Sequence, residues 1–382
     1  MKRFPVQFPA SHIEAYLIGK VIHAKGEGIN RKYSIAMLKK GRIKKVILLQ
    51  RGCQQTTNNA YVFEEDPHLN INDVIELTND SCYVHFSYAS NDCCLVVNNE
   101  CNENCINCPQ CSRVPNPLQT DRNKLLLRFL PKSIQSIALS GGEPTLYIDS
   151  LCSIIAALYK KNPNICIDIL TNGITLADEK NVARLVNVLK INTNFCITLY
   201  GDTPTIHDKH TRTIGSFSQV NRALHHLALH ACSIELRFLI TRLNYERLPS
   251  FIEYVYANFP FVDHIALMGM EVSGEAQRQA DVLYIEPQQY EEHLKDAVQK
   301  ALYRSIPVYI YNHQVCQLPK ELWKFTVPSI SDWKAGYQLE CRQCDLRGYC
   351  GGFFLTSDPN HINAKVMPIN LDYSDEVIYE TH

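Results

Sequence analysis

Excess charge of either sign is nearly absent from this sequence: 38 lysines and arginines stand against 39 aspartates and glutamates, a formal net charge of −1. No global electrostatic field would therefore steer the protein onto nucleic acid or an anionic membrane. We expect neither a nucleic-acid partner nor a membrane partner. Solenoid repeats and low-complexity segments are also absent, which excludes repeat architectures.

Long apolar runs are equally scarce. No run reaches the roughly 18 residues that a membrane-spanning helix needs, and the first residues, MKRFPVQFPASHIEAYL, lack the apolar stretch of a signal peptide. We therefore expect a cytoplasmic protein. With 46% hydrophobic and 20% charged residues, the chain of 382 residues can bury a full core, so disorder is not expected.

Cysteine, by contrast, is abundant, with sixteen in the chain. Cytosolic thiols are kept reduced, so closely spaced cysteines indicate metal sites rather than disulfides. Cys101, Cys105 and Cys108 lie within eight residues, enough to bind one face of a cluster and leave one iron open. The alternative is a closed four-cysteine site that includes Cys111. Cys93 and Cys94 lie in an apolar strand, which predicts that they are core residues.

A second cysteine group lies near the C-terminus. Cys341, Cys344 and Cys350 follow one another closely, and Cys316 lies upstream of them. Four cysteines suit either tetrahedral zinc or a fully ligated [4Fe-4S] cluster, and the sequence does not separate the two.

From about residue 93 the chain alternates short apolar runs with segments of helical periodicity, which predicts six βα units and hence a parallel sheet of the α/β class. The predicted strands are 93–98, 136–140, 165–170, 195–200, 234–240 and 264–270. The predicted helices are 121–131, 149–161, 177–190, 216–230, 247–258 and 286–303. The residues that could carry chemistry, such as the cysteine triplet, Gly141-Gly142 and Glu271, each follow one of these strands. In such folds, active sites are built at that edge of the sheet.

The spacing Cys-x3-Cys-x2-Cys after the first of these strands resembles the radical S-adenosylmethionine (SAM) superfamily. Ser140-Gly141-Gly142-Glu143-Pro144, after the next strand, stands where that family has its GGEP motif. The resemblance implies a [4Fe-4S] cluster on the cysteine triplet, whose open iron binds SAM for reductive cleavage. It also implies a partial (β/α)6 TIM-like barrel over 91–303, between a β-rich module over 1–90 and a cysteine-rich auxiliary cluster region over 304–382.

The same resemblance implies a set of SAM contacts beyond the cysteines. The GGEP segment would hold the methionine amino group, Asn172 would lie near the ribose, and Glu271 would line the adenine and ribose site. Arg237 either reaches the SAM carboxylate or forms an ion pair on the outer face. Asn107 stands where much of the family has an aromatic residue, so we do not expect it to contact adenine. No catalytic side chain is assigned.

At closer range, residues 91–356 resemble the His-Xaa-Ser system radical SAM maturases (HxsC), and 311–354 is the more discriminating part. This implies an auxiliary [4Fe-4S] cluster on Cys316, Cys341, Cys344 and Cys350. It further implies a small ribosomally made precursor peptide, oxidatively crosslinked by the enzyme, a companion radical SAM protein, and an electron donor such as flavodoxin or ferredoxin.

Two alternatives remain at this point. One is a radical SAM enzyme that acts on a small molecule in cofactor biosynthesis, and the other is a non-catalytic iron-sulfur or zinc scaffold. If the substrate is a peptide, we expect residues 1–90 to offer a sheet edge to which its leader adds as a strand.

Overall fold

The structure of the protein is a computed structural model. It describes residues 2–7, 17–25, 32–39, 42–50, 60–63, 68–78, 81–88, 90, 93–110, 115–116, 119–131, 134–358 and 366–371. Before residue 68, side chains are described only at 18–21.

Contacts divide the chain into two compact units. One contains Met1–Asn98, Asn116–Ser140 and Asp149–Ile167, and the other contains Asn99–Pro115, Gly141–Ile148 and Asp168–His382. The domain boundaries expected at residues 90 and 303 stay predictions.

Seven strands at the start of the chain close into a barrel, in the order β1-β5-β4-β3-β2-β6-β7. They are β1 (Lys2–Gln7), β2 (Leu17–Lys25), β3 (Lys32–Lys39), β4 (Arg42–Gln50), β5 (Ala60–Phe63), β6 (Val74–Leu77) and β7 (Ser81–Phe86). Neighbours are antiparallel apart from the parallel pair β4–β5, and β1 closes the ring by pairing with β7. Because every described strand here has two neighbours, the open sheet edge expected for a leader peptide is a wrong prediction for this part of the structure.

Eight further strands form a second sheet, ordered β15-β14-β13-β12-β11-β10-β9-β8, so each strand lies beside its successor in the chain. They are β8 (Cys94–Asn98), β9 (Ser136–Gly141), β10 (Cys166–Thr171), β11 (Thr193–Thr198), β12 (Ser233–Leu239), β13 (His264–Met268), β14 (Val308–Tyr311) and β15 (Thr326–Val327). The pairs from β11 to β15 are parallel. β16 (Ala335–Gly336) and β17 (Phe353–Phe354) form a separate antiparallel pair.

Helices connect the strands of the second sheet, as parallel pairing requires. They are α1 (Gln119–Phe129), α2 (Ile148–Lys161), α3 (Glu179–Val186), α4 (Pro204–Thr211), α5 (Ser216–Leu229), α6 (Leu248–Asn258), α7 (Glu275–Arg278), α8 (Ala280–Leu283) and α9 (Pro287–Tyr303). The α/β class and the parallel sheet are thereby confirmed. The sheet contains two strands more than the six predicted, because β14 and β15 follow α9.

Strand β12 shows how the alternating pattern sorts side chains between two faces. Ile234, Leu236 and Phe238 are fully buried, and the Phe238 ring lies 4.6 Å from that of Phe251 on α6. Since successive side chains of a strand point to opposite faces, Glu235 and Arg237 lie on the face turned away from α6.

Among the described residues, no helix is both long enough and apolar enough to span a membrane.

Candidate active site

The loop that follows β8 carries the cysteine triplet. Cys101, Cys105 and Cys108 are each partly buried, and the Cys108 amide donates a hydrogen bond to the Cys105 carbonyl at 3.3 Å. Burial raises the pKa of the Cys105 thiol, and the charges of Glu103, Cys101 and Cys108 raise it further. Cys101 and Cys108 therefore both lie close enough to Cys105 to act on it, as ligands of one cluster would. Cys111, the fourth member of the alternative site, lies outside the described residues.

The glycine pair after β9 packs directly against the start of the triplet loop. A Cβ atom on Gly142 would lie 2.1 Å from the Glu100 carbonyl oxygen. The neighbouring Glu143 amide donates a hydrogen bond of 2.7 Å to that same oxygen. The second glycine of the motif is thus required for contact between two backbones, one residue before Cys101.

Glu143 joins the loops that follow β9 and β10. Its side chain accepts hydrogen bonds from the Thr145 amide at 2.9 Å, from the Thr171 hydroxyl at 2.6 Å and from the Asn172 amide at 2.7 Å. It caps a 3-10 turn over Pro144–Tyr147, whose first residue is the proline of the motif. Burial raises the pKa of Glu143, while these hydrogen bonds oppose the increase. Ser140 and Gly141 end β9 itself.

Asn172 connects the loop after β10 to the cysteine loop. Its side-chain amide donates to Asn102 Oδ1 at 2.8 Å and lies 3.8 Å from Cys101 Sγ. The structure therefore brings together three groups expected to share a site: the triplet, the Gly142–Glu143 loop and Asn172.

A buried relay of hydrogen bonds that the sequence did not predict leads away from the triplet. The Cys105 thiol donates to Glu103 Oε2 at 3.4 Å, and Ser216 Oγ donates to Glu103 Oε1. His207 Nε2 lies 3.0 Å from Ser216 Oγ, and its Nδ1 accepts from the Tyr200 amide. Burial raises the pKa of Glu103 to about 7 and lowers that of His207 to about 4. His207, which on sequence alone could pass for a loop histidine, thus lies buried beside this site.

Asn107 occupies the position before the third cysteine and is 3% exposed. Its Nδ2 donates to the Tyr200 hydroxyl at 3.1 Å, and the Tyr200 ring stacks on the imidazole of His210 at 5.0 Å. Its Oδ1 is buried without a hydrogen-bond partner among the described residues. A polar atom in that state has capacity for a donor from a bound group.

Two roles were considered for Arg237, a contact with the SAM carboxylate and an ion pair. It lies on the face of β12 turned away from α6, and it forms an ion pair with Glu235. His264 Nε2 also lies 3.0 Å from Glu235. Burial acts to raise the pKa of Glu235, but the hydrogen bond from His264 and the charge of Arg237 outweigh it and lower that pKa to about 2.

This pKa predicts a pH-dependent contribution to stability. Because the pKa of Glu235 is lower in the folded chain, its contribution is complete above about pH 4.5 and is lost as the pH falls toward 2. Glu235→Gln should cost on the order of 3 kcal/mol near pH 7. The difference in melting temperature between the parent and Glu235→Gln should be smaller at pH 3 than at pH 5. Glu340→Gln, at an exposed position, serves as the control, and a pH-independent deficit in Glu235→Gln would contradict the prediction.

Glu271 has polar partners of its own, and the segment that follows it contacts the cysteine loop, where the Glu275 amide donates to the Cys108 carbonyl at 2.9 Å. It forms an ion pair with Lys334 at 2.8 Å and accepts from the hydroxyls of Thr356 at 2.6 Å and Ser273 at 3.2 Å. The structure thus joins Glu271 to the C-terminal segment. Its expected contact with SAM stays a prediction.

The second cysteine group converges on one pocket of about 360 Å³, open space at its mouth included. Cys316, Cys341, Cys344 and Cys350 all line this pocket, together with apolar side chains such as Val315. Burial raises the pKa of the Cys350 thiol, and the charges of Cys316 and Cys341 raise it further. Four thiols around one apolar pocket are the donor set of a closed four-cysteine site.

Within the described parts of the chain, no three His, Cys, Asp or Glu side chains form a ready site for a single metal ion. A four-iron cluster takes its thiolates one per iron and spaces them more widely than a single ion does. Of the two cysteines predicted to be core residues, Cys93 is buried, whereas Cys94 is exposed at the start of β8.

No protein-family model matches the chain, and a search of curated proteins finds no match. Solved structures give partial matches. Streptococcus suis SuiB bound to precursor peptide SuiA is 13% identical, with 59% of this chain and 49% of that chain covered and a TM-score of 0.47. The chain thus spans about half the length of SuiB.

Two further structures match with similar sequence identity, coverage and TM-score. Native anSMEcpe with bound AdoMet is 18% identical, with 57% of this chain and 63% of that chain covered and a TM-score of 0.44. Escherichia coli coproporphyrinogen III oxidase (HemN), described as a radical SAM enzyme, is 14% identical, with 54% and 51% covered and a TM-score of 0.42.

Proposed function

We propose that this chain is a radical SAM enzyme that modifies a ribosomally made peptide. Cys101, Cys105 and Cys108 would bind a [4Fe-4S] cluster with one open iron. The observation that supports this most is the meeting of the cysteine loop with the Gly142–Glu143 loop, where two backbones touch and Asn172 reaches Cys101. When bound, such a cluster supplies the electron for reductive cleavage of SAM.

The side chains around the triplet have separate tasks in this proposal. Glu143 orders the two loops that would surround SAM, since its carboxylate binds groups of both. Asn172 orients the cysteine loop. Glu103, buried against Cys105, would accept the proton that the thiol gives up when it becomes a thiolate ligand. Arg237 and its partner Glu235 supply charge on the sheet face turned away from α6.

The four-cysteine pocket supports an auxiliary [4Fe-4S] cluster as the second part of the proposal. Its four thiols leave no position of such a cluster open, so the cluster would carry electrons or order the region rather than bind substrate. The peptide substrate, and an oxidative crosslink as the product, rest on the resemblance of 311–354 to HxsC. The companion radical SAM protein and the flavodoxin or ferredoxin donor belong to the same proposal.

The first test measures metal and SAM chemistry together. Anaerobically reconstituted protein should be brown, bind about eight irons in two clusters, and produce 5′-deoxyadenosine from SAM when reduced. The reason is that the chain has two groups of cysteines, over 101–108 and 316–350. A colourless zinc protein, or an iron protein that does not cleave SAM, would instead support the scaffold alternative.

A second test separates the two cysteine groups. Replacement of Cys341 and Cys344 with alanine should preserve some SAM cleavage and stop formation of the modified peptide, because the closed cluster does not bind SAM. The measurement is 5′-deoxyadenosine and peptide mass in the same reaction. The substrate is a short peptide encoded next to the gene for this chain. Complete loss of SAM cleavage in a folded variant would contradict the auxiliary role.

A further inference from the structure

A cavity of about 640 Å³, partly open to solvent, lies at the carboxyl ends of β12, β13 and β14. Ile240, Gly269 and Asn312, which follow these three strands, line it, and the start of α9 and strand β17 complete its walls. Its described lining residues include no cysteine and no residue expected to bind SAM, although Met270 and Val272, on either side of Glu271, line it.

Four aromatic rings and one carboxylate contribute to the wall of this cavity, beside aliphatic and amide side chains. Tyr284, Tyr290, Phe353 and Phe354 provide four rings, and Glu286 provides the carboxylate. No lysine or arginine lines the cavity in the described parts of the chain. Aromatic rings and a carboxylate together attract an organic cation, and none of the described lining residues is a lysine or arginine that would compete with it.

The carboxylate is held in place by the helix that it caps. Glu286 and Gln289 form a capping box at the start of α9, and the Tyr284 hydroxyl donates to Glu286 Oε2 at 3.1 Å. A carboxylate fixed in this way loses little conformational entropy when it binds a partner.

Two buried side chains of the cavity wall, His313 and Tyr290, form an uncharged hydrogen-bonded pair. His313 Nδ1 lies 2.7 Å from the Tyr311 carbonyl, so it donates there, and Nε2 accepts from the Tyr290 hydroxyl at 2.7 Å. Burial lowers the pKa of His313 to about 4. The histidine therefore adds no positive charge that would compete with a cationic ligand.

The cavity is also adjacent to the four-cysteine pocket. Gln314 and Phe353 line both, so the two spaces share a wall. A group bound in the cavity would be held beside the site of the auxiliary cluster.

We propose that this cavity binds a lysine or arginine side chain of the peptide substrate, with Glu286 facing the cation and the aromatic rings packing on its aliphatic stem. The proposal rests on the proposed function only in naming a peptide as the source of the cation. Glu286 and Phe354 are then specificity-determining residues.

The test measures binding to the reconstituted full-length protein by anaerobic titration calorimetry. The probes are acetyl-Gly-Ser-Arg-Ser-Gly-amide and the same peptide with citrulline, the uncharged isostere of arginine. A lysine and norleucine pair repeats the comparison. We expect each cationic peptide to bind at least about tenfold tighter than its neutral counterpart, as a desolvated cation–π contact with a carboxylate implies.

Two cavity variants and one matched control locate the effect. Glu286→Gln keeps the capping oxygen and should abolish the tenfold preference, and Phe354→Leu, which removes a ring, should reduce it severalfold. Glu292→Gln removes the same charge from an exposed position of the same helix and should leave the preference unchanged. SAM cleavage by each preparation is measured separately. Failure of the proposed function, seen as absent SAM cleavage, is therefore distinguished from failure of the cavity proposal, seen as absent cation preference.

Equal affinity for the charged and neutral peptides would overturn the proposal. A preference that survives in both folded cavity variants would also overturn it, since the cation would then bind elsewhere. If Glu286→Gln does not fold, Phe354→Leu alone decides between these outcomes.

Discussion

Replacement of Cys101, Cys105 and Cys108 together with alanine should abolish SAM cleavage and reduce bound iron from about eight to about four atoms. These thiols lie in one loop, and the charges of Cys101 and Cys108 both act on Cys105. They would be the ligands of the cluster with an open iron, so their loss removes the place where SAM binds. The four cysteines around the other pocket are untouched and should retain their cluster.

The control for this variant is Cys166→Ala. Cys166 is exposed at the start of β10, away from both cysteine groups in the chain, and its replacement should change neither iron content nor 5′-deoxyadenosine formation. Iron is measured with a colorimetric chelator and the nucleoside by chromatography. Full SAM cleavage by the triple variant, or loss of all iron in a folded protein, would contradict the assignment.

Much of the second sheet was predictable because its strands and helices differ in periodicity. The segment predicted as a helix over 286–303 forms α9 over Pro287–Tyr303, and that over 149–161 forms α2 over Ile148–Lys161. The last two strands were not predicted as members of the sheet. β14 has four residues and β15 has two, too few for alternation to identify a strand.

The N-terminal barrel shows a different limit. Alternating apolar residues predicted that 1–90 would be rich in strands, and the strands are present, but the pairing partners of a strand are not encoded in its own periodicity. The closure between β1 and β7 joins residues about 80 positions apart, such as Lys2 and Val84. A free edge was expected because the sequence alone gives no sign of that closure.

At the candidate site, spacing predicted ligands but not the groups that support them. The intervals between Cys101, Cys105 and Cys108 are visible in the sequence, whereas Glu103 between them is one of many glutamates. Its burial and its bond with Ser216 exist only because the start of α5 reaches the cysteine loop. His207 is not predictable for the same reason, since no sequence pattern shows that a histidine is buried.

Gly142→Ala should lower the affinity for SAM at least about tenfold and reduce the iron bound by the triplet. The new Cβ would lie 2.1 Å from the Glu100 carbonyl oxygen and 2.7 Å from that of Asn99. Both neighbours are backbone atoms, so no side-chain rotation can relieve the clash and the two loops must separate. That separation breaks the hydrogen bond from the Glu143 amide to Glu100 and displaces Cys101, the next residue.

The matched control is Gly348→Ala, since a Cβ at that glycine would have no heavy atom within 4 Å. It repeats the chemical change at an open position, so SAM affinity and iron content should equal those of the parent. Equilibrium binding of SAM to the reconstituted, unreduced proteins measures the difference, and circular dichroism verifies folding. If Gly142→Ala binds SAM as tightly as the control, the contact between the two loops does not shape the SAM site. Glu143 would then act only as the cap of its own 3-10 turn.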